Sequence, residues 1–117
     1  METSGKESRR FPRVKLMTPV RIQARGAERF SHTVVEDVSE TGLGFVNDDF
    51  IAPSTSVMME IEVLARVLHP IGKIVWASPY PHSNKYRLGT EFIEFDSDER
   101  KFLSEYVQLS RRFHNEE

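Results

Sequence analysis

The feature that most limits what this sequence can fold into is a series of short segments in which apolar and polar residues alternate. The clearest example covers residues 57–63, where every odd-numbered residue is apolar and the even-numbered ones include Glu60 and Glu62. A period of two is typical of strands with one buried face, and Pro, Gly, Asn and Asp separate the segments about every ten residues. We therefore predict an all-β fold, a small antiparallel β-barrel of six to seven strands. The predicted strands lie at about residues 19–23, 31–38, 43–46, 56–64, 71–77 and 86–95.

The last part of the chain changes to a helical period. Asp96 is a candidate N-cap with Glu99 three residues later, as in a capping box. After it, apolar residues recur at steps of three and four, namely Phe102, Leu103, Tyr106, Leu109 and Phe113. This pattern predicts one amphipathic helix over residues 97–113, which closes one end of the barrel with its aromatic stripe.

Length and composition bound the class of protein. A chain of 117 residues with 38% apolar and 29% charged residues fits one globular domain. It has no apolar run near the roughly 20 residues of a membrane span, and METSGKESRR lacks the apolar stretch of a signal peptide. We expect a cytoplasmic protein without membrane insertion, with a flexible tail at 1–8, a single domain at 9–113 and a C-terminal tail at 114–117.

The charge is distributed unevenly along the chain. Residues 1–29 carry eight Lys or Arg and three acidic residues, whereas residues 30–117 carry eight basic and fifteen acidic residues. An extended nucleic acid needs a wide positive surface, which the acidic body does not offer. The basic end therefore favours a small anion such as a phosphorylated ligand, although a plain solvated basic tail has the same composition.

The residues that usually carry catalysis do not form a recognisable site. Cysteine is absent, and the histidines (His32, His69, His82 and His114) are scattered without metal-ligand spacing. Ser39 lacks the glycine flanks of a nucleophile elbow, and the Gly42–Gly44 pair lacks the third glycine of a dinucleotide fingerprint. We expect no enzyme activity, no metal and no cofactor.

The first candidate binding group is Arg9-Arg-Phe-Pro-Arg13, just ahead of the first predicted strand. Pro12 disfavours a helix here, and residues four apart in an extended chain project to the same side, about 13 Å apart. Arg9 and Arg13 can thus hold one elongated ligand at two points. The guanidinium group suits phosphate because it donates two parallel hydrogen bonds, and its plane also stacks on a purine.

The second candidate group is Asp37-Val-Ser-Glu-Thr-Gly42, at the end of the second predicted strand. Alternation places Asp37 and Ser39 on one face. The carboxylate can accept two hydrogen bonds from one edge of guanine, and the hydroxyl can donate or accept. Gly42 provides either a positive φ or a close approach of the backbone to a ligand. The same residues also fit an ordinary serine-stabilised turn.

RxxxR before the first strand, followed after one hairpin by DxSxxG, resembles the pattern of the PilZ domain family. The resemblance covers roughly residues 9–109 and continues into Leu43-Gly44-Phe45, Ile74-Val-Trp76 and Leu88-Gly-Thr-Glu-Phe92. RxxxR alone is not specific, because Arg21/Arg25 and Arg25/Arg29 also satisfy it. Only the Arg9/Arg13 copy precedes the first strand, as the family pattern requires.

The resemblance implies a non-catalytic receptor for cyclic di-GMP, a bacterial second messenger. Arg9 and Arg13 would hold phosphate and guanine, with Asp37, Ser39 and Gly42 completing the site. By the same resemblance Arg10 would add a phosphate contact, and Trp76 occupies a position that is often aromatic and near the ligand. Binding would order the N-terminal segment over the barrel and present a new surface to an effector protein, which the sequence does not identify.

Two alternatives remain open at this point. One is a protein-interaction adaptor that works without nucleotide and carries a vestigial motif. The other is a nucleic-acid-binding barrel, which the acidic body disfavours. The sequence does not specify the downstream pathway, the oligomeric state or the number of ligand molecules bound.

Overall fold

The computed structural model describes residues 12–115, with the side chains of residues 12–112. This part of the chain forms seven strands followed by one helix. They are β1 (Val14–Ala24), β2 (Ser31–Val38), β3 (Gly42–Asn47), β4 (Ser56–Val63), β5 (Arg66–Leu68), β6 (Ile71–Pro79), β7 (Tyr86–Glu94) and α1 (Ser97–Asn115).

The strands form a closed antiparallel barrel, which confirms the predicted fold. Neighbouring strands follow the order β1-β2-β3-β7-β6-β4-β5, and β1 also pairs with β4. The β1–β4 ladder closes a ring of six strands, and β5 lies outside the ring as a short extension paired to the end of β4. Closure leaves no free edge in the ring itself, so the functional surface must be built on its outer face or its ends.

The predicted alternation in β4 is confirmed by burial. Val57, Met59, Ile61 and Val63 are all buried in the barrel, whereas Met58 and Glu62 point outward and are exposed. The remaining strands supply the rest of one continuous core, including Val20, Ile22, Val35, Val38, Leu43, Phe45, Leu68, Ile74 and Leu88. These side chains fill the interior of the barrel.

The helix closes the barrel end at which β1 begins and β7 ends. Leu103 and Val107 are fully buried against the core, and Phe102 and Tyr106 pack beside them. The predicted apolar stripe was wrong at Leu109, which is 50% exposed. One helical turn after Leu103 the chain reaches Val107, and this residue takes the buried position.

Asp96 caps this helix as predicted, but Glu99 does not complete a capping box. Asp96 Oδ2 accepts hydrogen bonds from the backbone N–H groups of Asp98 and Glu99. The Glu99 carboxylate accepts instead from the backbone N–H of His69, at 2.7 Å, and so ties the helix to the turn between β5 and β6. The helix continues to Asn115, two residues beyond its predicted end.

The structure corrects two strand predictions. β1 begins at Val14 rather than at residue 19, because the strand accommodates Pro19 in its interior. Backbone pairing with β4 starts only at Val20, after the proline. Before it, the Thr18 hydroxyl donates to the Glu62 carbonyl of β4. β5 was missed because three residues are too short to show a period. The turn before β5 consists of Leu64 and Ala65, both with positive φ, where a sequence signal would require Asn or Gly.

Candidate ligand-binding site

One row of paired residues crosses the outer face of the barrel on five adjacent strands. The ladders pair Lys15 with Asp37, Asp37 with Gly44, Gly44 with Gly89, and Gly89 with Trp76. Four strand spacings give this row a width of roughly 19 Å. It underlies a cavity of about 420 Å³, also lined by Arg13, Glu36, Val75, Arg87 and Thr90.

Two β-bulges turn the polar and aromatic residues of this row outward. On β2, Val35 pairs with Phe45 and Asp37 with Gly44, so Glu36 is an extra residue. On β6, Ile74 pairs with Thr90 and Trp76 with Gly89, so Val75 is an extra residue. Without these bulges, alternation would point Asp37 and Trp76 into the barrel, as it does Val35 and Ile74.

Trp76 therefore lies on the surface of the barrel and not in its core. Its side chain is 44% exposed. The indole ring covers Gly89 so closely that a Cβ at Gly89 would overlap the ring atoms. One face of the indole thus rests on bare backbone, and the exposed part is available for stacking.

The floor between Asp37 and Trp76 consists of two glycines that face each other. Gly44 and Gly89 are partners in the β3–β7 ladder. A Cβ at Gly44 would lie 3.1 Å from Asp37 Oδ1, so glycine lets the carboxylate lie flat on the sheet. Both glycines belong to segments that resemble the family pattern, but their shared position could not be predicted, since only the strand register brings them together.

Arg13 and Asp37, both predicted site residues, are in direct contact. Both Nε and Nη2 of Arg13 lie 3.1 Å from Asp37 Oδ1. Lys15 lies beside them on β1 and forms no ion pair within residues 12–115. This end of the row therefore combines two cations with one carboxylate, which is a suitable environment for an anion.

A second arginine–carboxylate pair lines the cavity and was missed by sequence reasoning. Arg87 Nε donates to Glu36 Oε1 at 3.2 Å, and the guanidinium carbon lies 5.1 Å from the centre of the Tyr80 ring. Glu36 is on β2 and Arg87 on β7, so this pair reaches across β3. No sequence signal pointed to it, because the two residues are 51 positions apart.

Ser39 lies in the turn after β2, Gly42 is the first residue of β3, and neither residue lines the cavity. The Ser39 side chain is fully buried, and its hydroxyl lies 3.2 Å from both the backbone N and the hydroxyl of Thr41. Asp37 and Ser39 do not share a face, because β2 ends at Val38 and the chain turns. Of the two roles expected for Gly42, a positive φ is wrong. Its backbone approaches β7 closely, where a Cβ would overlap the Thr90 carbonyl oxygen.

Arg9 and Arg10 lie outside the described residues. The described chain begins at Pro12, one residue before Arg13 at the rim of the cavity. Within residues 12–115, no three acidic or histidine side chains come together in a way that could hold a metal ion. Over the same range, no helix combines the length and apolar character that a membrane span requires.

The geometry defines a class of protein, a closed β-barrel with a polar cavity on its outer face and a helix over one end. The model of the PilZ domain family matches residues 7–109. The chain belongs to the PilZ domain family. PilZ domains are ligand-binding and adaptor domains.

Solved structures share this fold at low sequence identity. The inhibitor of motility MotI/DgrA from Bacillus subtilis is 21% identical with a TM-score of 0.77, over 90% of this chain and 51% of its own. The chain thus spans about half the length of that protein. The PilZ domain of YcgR from Escherichia coli, solved with c-di-GMP, is 14% identical with a TM-score of 0.70, over 92% of this chain and 94% of its own. PlzA from Borreliella burgdorferi, also solved with c-di-GMP, is 13% identical with a TM-score of 0.54, over 92% of this chain and 55% of its own. No curated protein matched the sequence.

Proposed function

We propose that this protein is a non-catalytic receptor for cyclic di-GMP, bound on the outer face of the barrel along the row from Lys15 to Trp76. The observation that carries the proposal is the row itself, which presents cations, a carboxylate, a bare floor and an aromatic ring in that order. These four features match the phosphates, the guanine edge, the ring plane and the stacking face of such a ligand. Family membership and the c-di-GMP held by YcgR and PlzA support the choice of ligand.

Arg13, Asp37 and Trp76 are the proposed contacts within the described residues. Arg13 would exchange part of its ion pair with Asp37 for a ligand phosphate, which frees the carboxylate to accept from guanine N–H groups. Lys15 adds positive charge at the same end. Ser39 and Gly42 would act on the ligand through the turn that they build, since that turn fixes where β2 ends beside Asp37.

The N-terminal segment would complete the site. Arg9 and Arg10 precede the described chain by a few residues, and the chain enters at the cavity rim. We propose that cyclic di-GMP orders this segment over the barrel, so that ligand and segment together form a surface for an effector protein. Ordering costs about 1–2 kcal/mol per residue, which charge-assisted hydrogen bonds of about 1.5–3 kcal/mol each must offset.

Isothermal titration calorimetry with cyclic di-GMP tests the site. Arg9→Ala and Arg13→Ala should each weaken binding about 10- to 100-fold, because each removes charge-assisted hydrogen bonds. Arg21→Ala is the matched control: Arg21 also belongs to an RxxxR copy and pairs with a carboxylate, but on another part of the barrel. Equal affinity of Arg13→Ala and Arg21→Ala would refute the site.

Thermal unfolding of the unaltered protein distinguishes the receptor from an adaptor that works without nucleotide. A ligand that binds only the folded state must raise the unfolding midpoint. No shift with saturating cyclic di-GMP would refute the receptor and leave the nucleotide-independent adaptor as the better explanation. If cyclic di-GMP orders the N-terminal segment, the NMR amide resonances of residues 1–11 should shift when the ligand is added. Unchanged resonances would contradict this part of the proposal.

A further inference from the structure

We infer that Arg87 provides a second phosphate-binding position in this cavity, on the far side of the glycine floor from Arg13. The inference rests on the proposed function, because it assigns a further contact to the same ligand. Arg87 belongs to neither the RxxxR nor the DxSxxG segment.

The guanidinium group of Arg87 is held in place but keeps its terminal nitrogens available. Its Nε donates to Glu36, and one face lies over the Tyr80 ring. Within residues 12–115, Nη1 and Nη2 of Arg87 make no hydrogen bond, whereas Arg13 already uses Nη2 on Asp37. Two free, coplanar N–H groups on a positioned guanidinium are the donors that bind a phosphate in parallel.

The bulge on β2 explains why the cavity has two arginine–carboxylate pairs. It turns the consecutive residues Glu36 and Asp37 outward together. Asp37 holds Arg13 next to the start of β1, and Glu36 holds Arg87 on β7. By the strand register, Arg13 lies on the side of the row that faces the helix-covered end of the barrel, and Arg87 lies two residues before Gly89, toward the opposite end of the barrel.

This arrangement suits a ligand that carries two phosphates on opposite sides of a ring. One arginine would take each phosphate, with the ring over Gly44 and Gly89. A nucleoside monophosphate has a single phosphate and could use only one of the two arginines. The second position therefore favours a cyclic dinucleotide over a nucleoside monophosphate.

Calorimetric titration with cyclic di-GMP on Arg87 variants tests the inference. Arg87→Ala and Arg87→Gln should each weaken binding about 10- to 100-fold. Arg87→Lys keeps the charge without the planar fork, so its affinity should fall between those of Arg87→Ala and the unaltered protein. Arg66→Ala is the matched control, because Arg66 also lies over an aromatic ring, that of Phe102, but against the helix; its affinity should stay within about twofold.

Three outcomes would overturn the inference. The first is binding by Arg87→Ala and Arg87→Gln within threefold of the unaltered protein. The second is Arg87→Lys binding no better than Arg87→Ala. The third is no binding by the unaltered protein, which refutes the proposed function as well and is thereby distinguished from the other two. The ligand-free unfolding midpoint of each variant should stay within about 4 °C, and Arg87→Gln decides if Arg87→Ala does not fold.

Discussion

Arg13 directly precedes β1 and Arg21 lies eight residues later, within that strand; each forms an ion pair with a carboxylate on another strand. Arg13 pairs with Asp37 at 3.1 Å, and Arg21 pairs with Glu60 at 2.7 Å. Both arginines begin or end an RxxxR copy in the sequence. Their local chemistry is the same, yet only Arg13 lies at a cavity floored by glycines.

The difference lies in what the neighbouring strands contribute. The β1–β4 ladder around Arg21 runs through five consecutive pairs without a bulge, and side chains of His32 and Glu60 flank Arg21 on either side. Around Arg13, bulges on β2 and β6 re-aim side chains, and glycines leave the sheet bare. We refer to the row from Lys15 to Trp76 as the site face and to the surface around Arg21 and Glu60 as the Arg21 face. The surroundings of the two arginines thus differ because distant strands remove the side chains beside Arg13 and leave those beside Arg21 in place.

The largest expected effect concerns a glycine that supports the site face. Gly42→Ala should lower the free energy of unfolding by about 3 kcal/mol, because its Cβ would overlap the Thr90 carbonyl oxygen on β7. Gly26→Ala, next to the Arg21 face, is the matched control. Its Cβ has open space and only its φ of +89° opposes the change, so about 1 kcal/mol is expected. Chemical denaturation measures both, and equal losses would show that the β3–β7 approach is not tight.

The second prediction fills the floor of the site face. Gly44→Val should weaken cyclic di-GMP binding about 100-fold, because the side chain would displace the Asp37 carboxylate and cover the bare backbone. The fold should persist, since valine is favoured in strands and points outward here. His32→Val adds an apolar side chain on the Arg21 face and should leave the affinity unchanged. If titration shows that Gly44→Val binds normally, the ligand does not lie on this floor.

The third prediction uses the single tryptophan of the chain. Trp76→Ala should weaken binding about 10-fold or more, because stacking on an aromatic ring contributes about 1–3 kcal/mol per base. In the unaltered protein, cyclic di-GMP should change the tryptophan fluorescence directly. Met58→Ala removes a side chain of similar exposure outside the site and serves as the control. Unchanged fluorescence at saturation would place the base elsewhere.

The contrast between the two faces also explains how much the sequence could predict. Alternation and punctuation were sufficient for the barrel and the helix, because burial on one face produces a period that is visible locally. Arg13, Asp37 and Trp76, which line the cavity, were predicted through motif order. The Gly44–Gly89 floor and the Glu36–Arg87 pair were not found, because they depend on register between strands far apart in sequence. The bulges were equally invisible, since no local residue pattern distinguishes Glu36 or Val75 as an extra residue.

The smallest expected effect concerns the ion pair on the Arg21 face. Arg21→Ala should lower the free energy of unfolding by about 1 kcal/mol or less, because both partners are substantially exposed and water screens their attraction. Part of this loss comes from the Phe30 ring, whose centre lies 4.1 Å from the guanidinium carbon. A double-mutant cycle with Glu60→Ala isolates the ion pair, for which a coupling of about 0.2–1 kcal/mol is expected. A coupling well above that range, or a loss of cyclic di-GMP affinity in Arg21→Ala, would mean that the two faces are not independent.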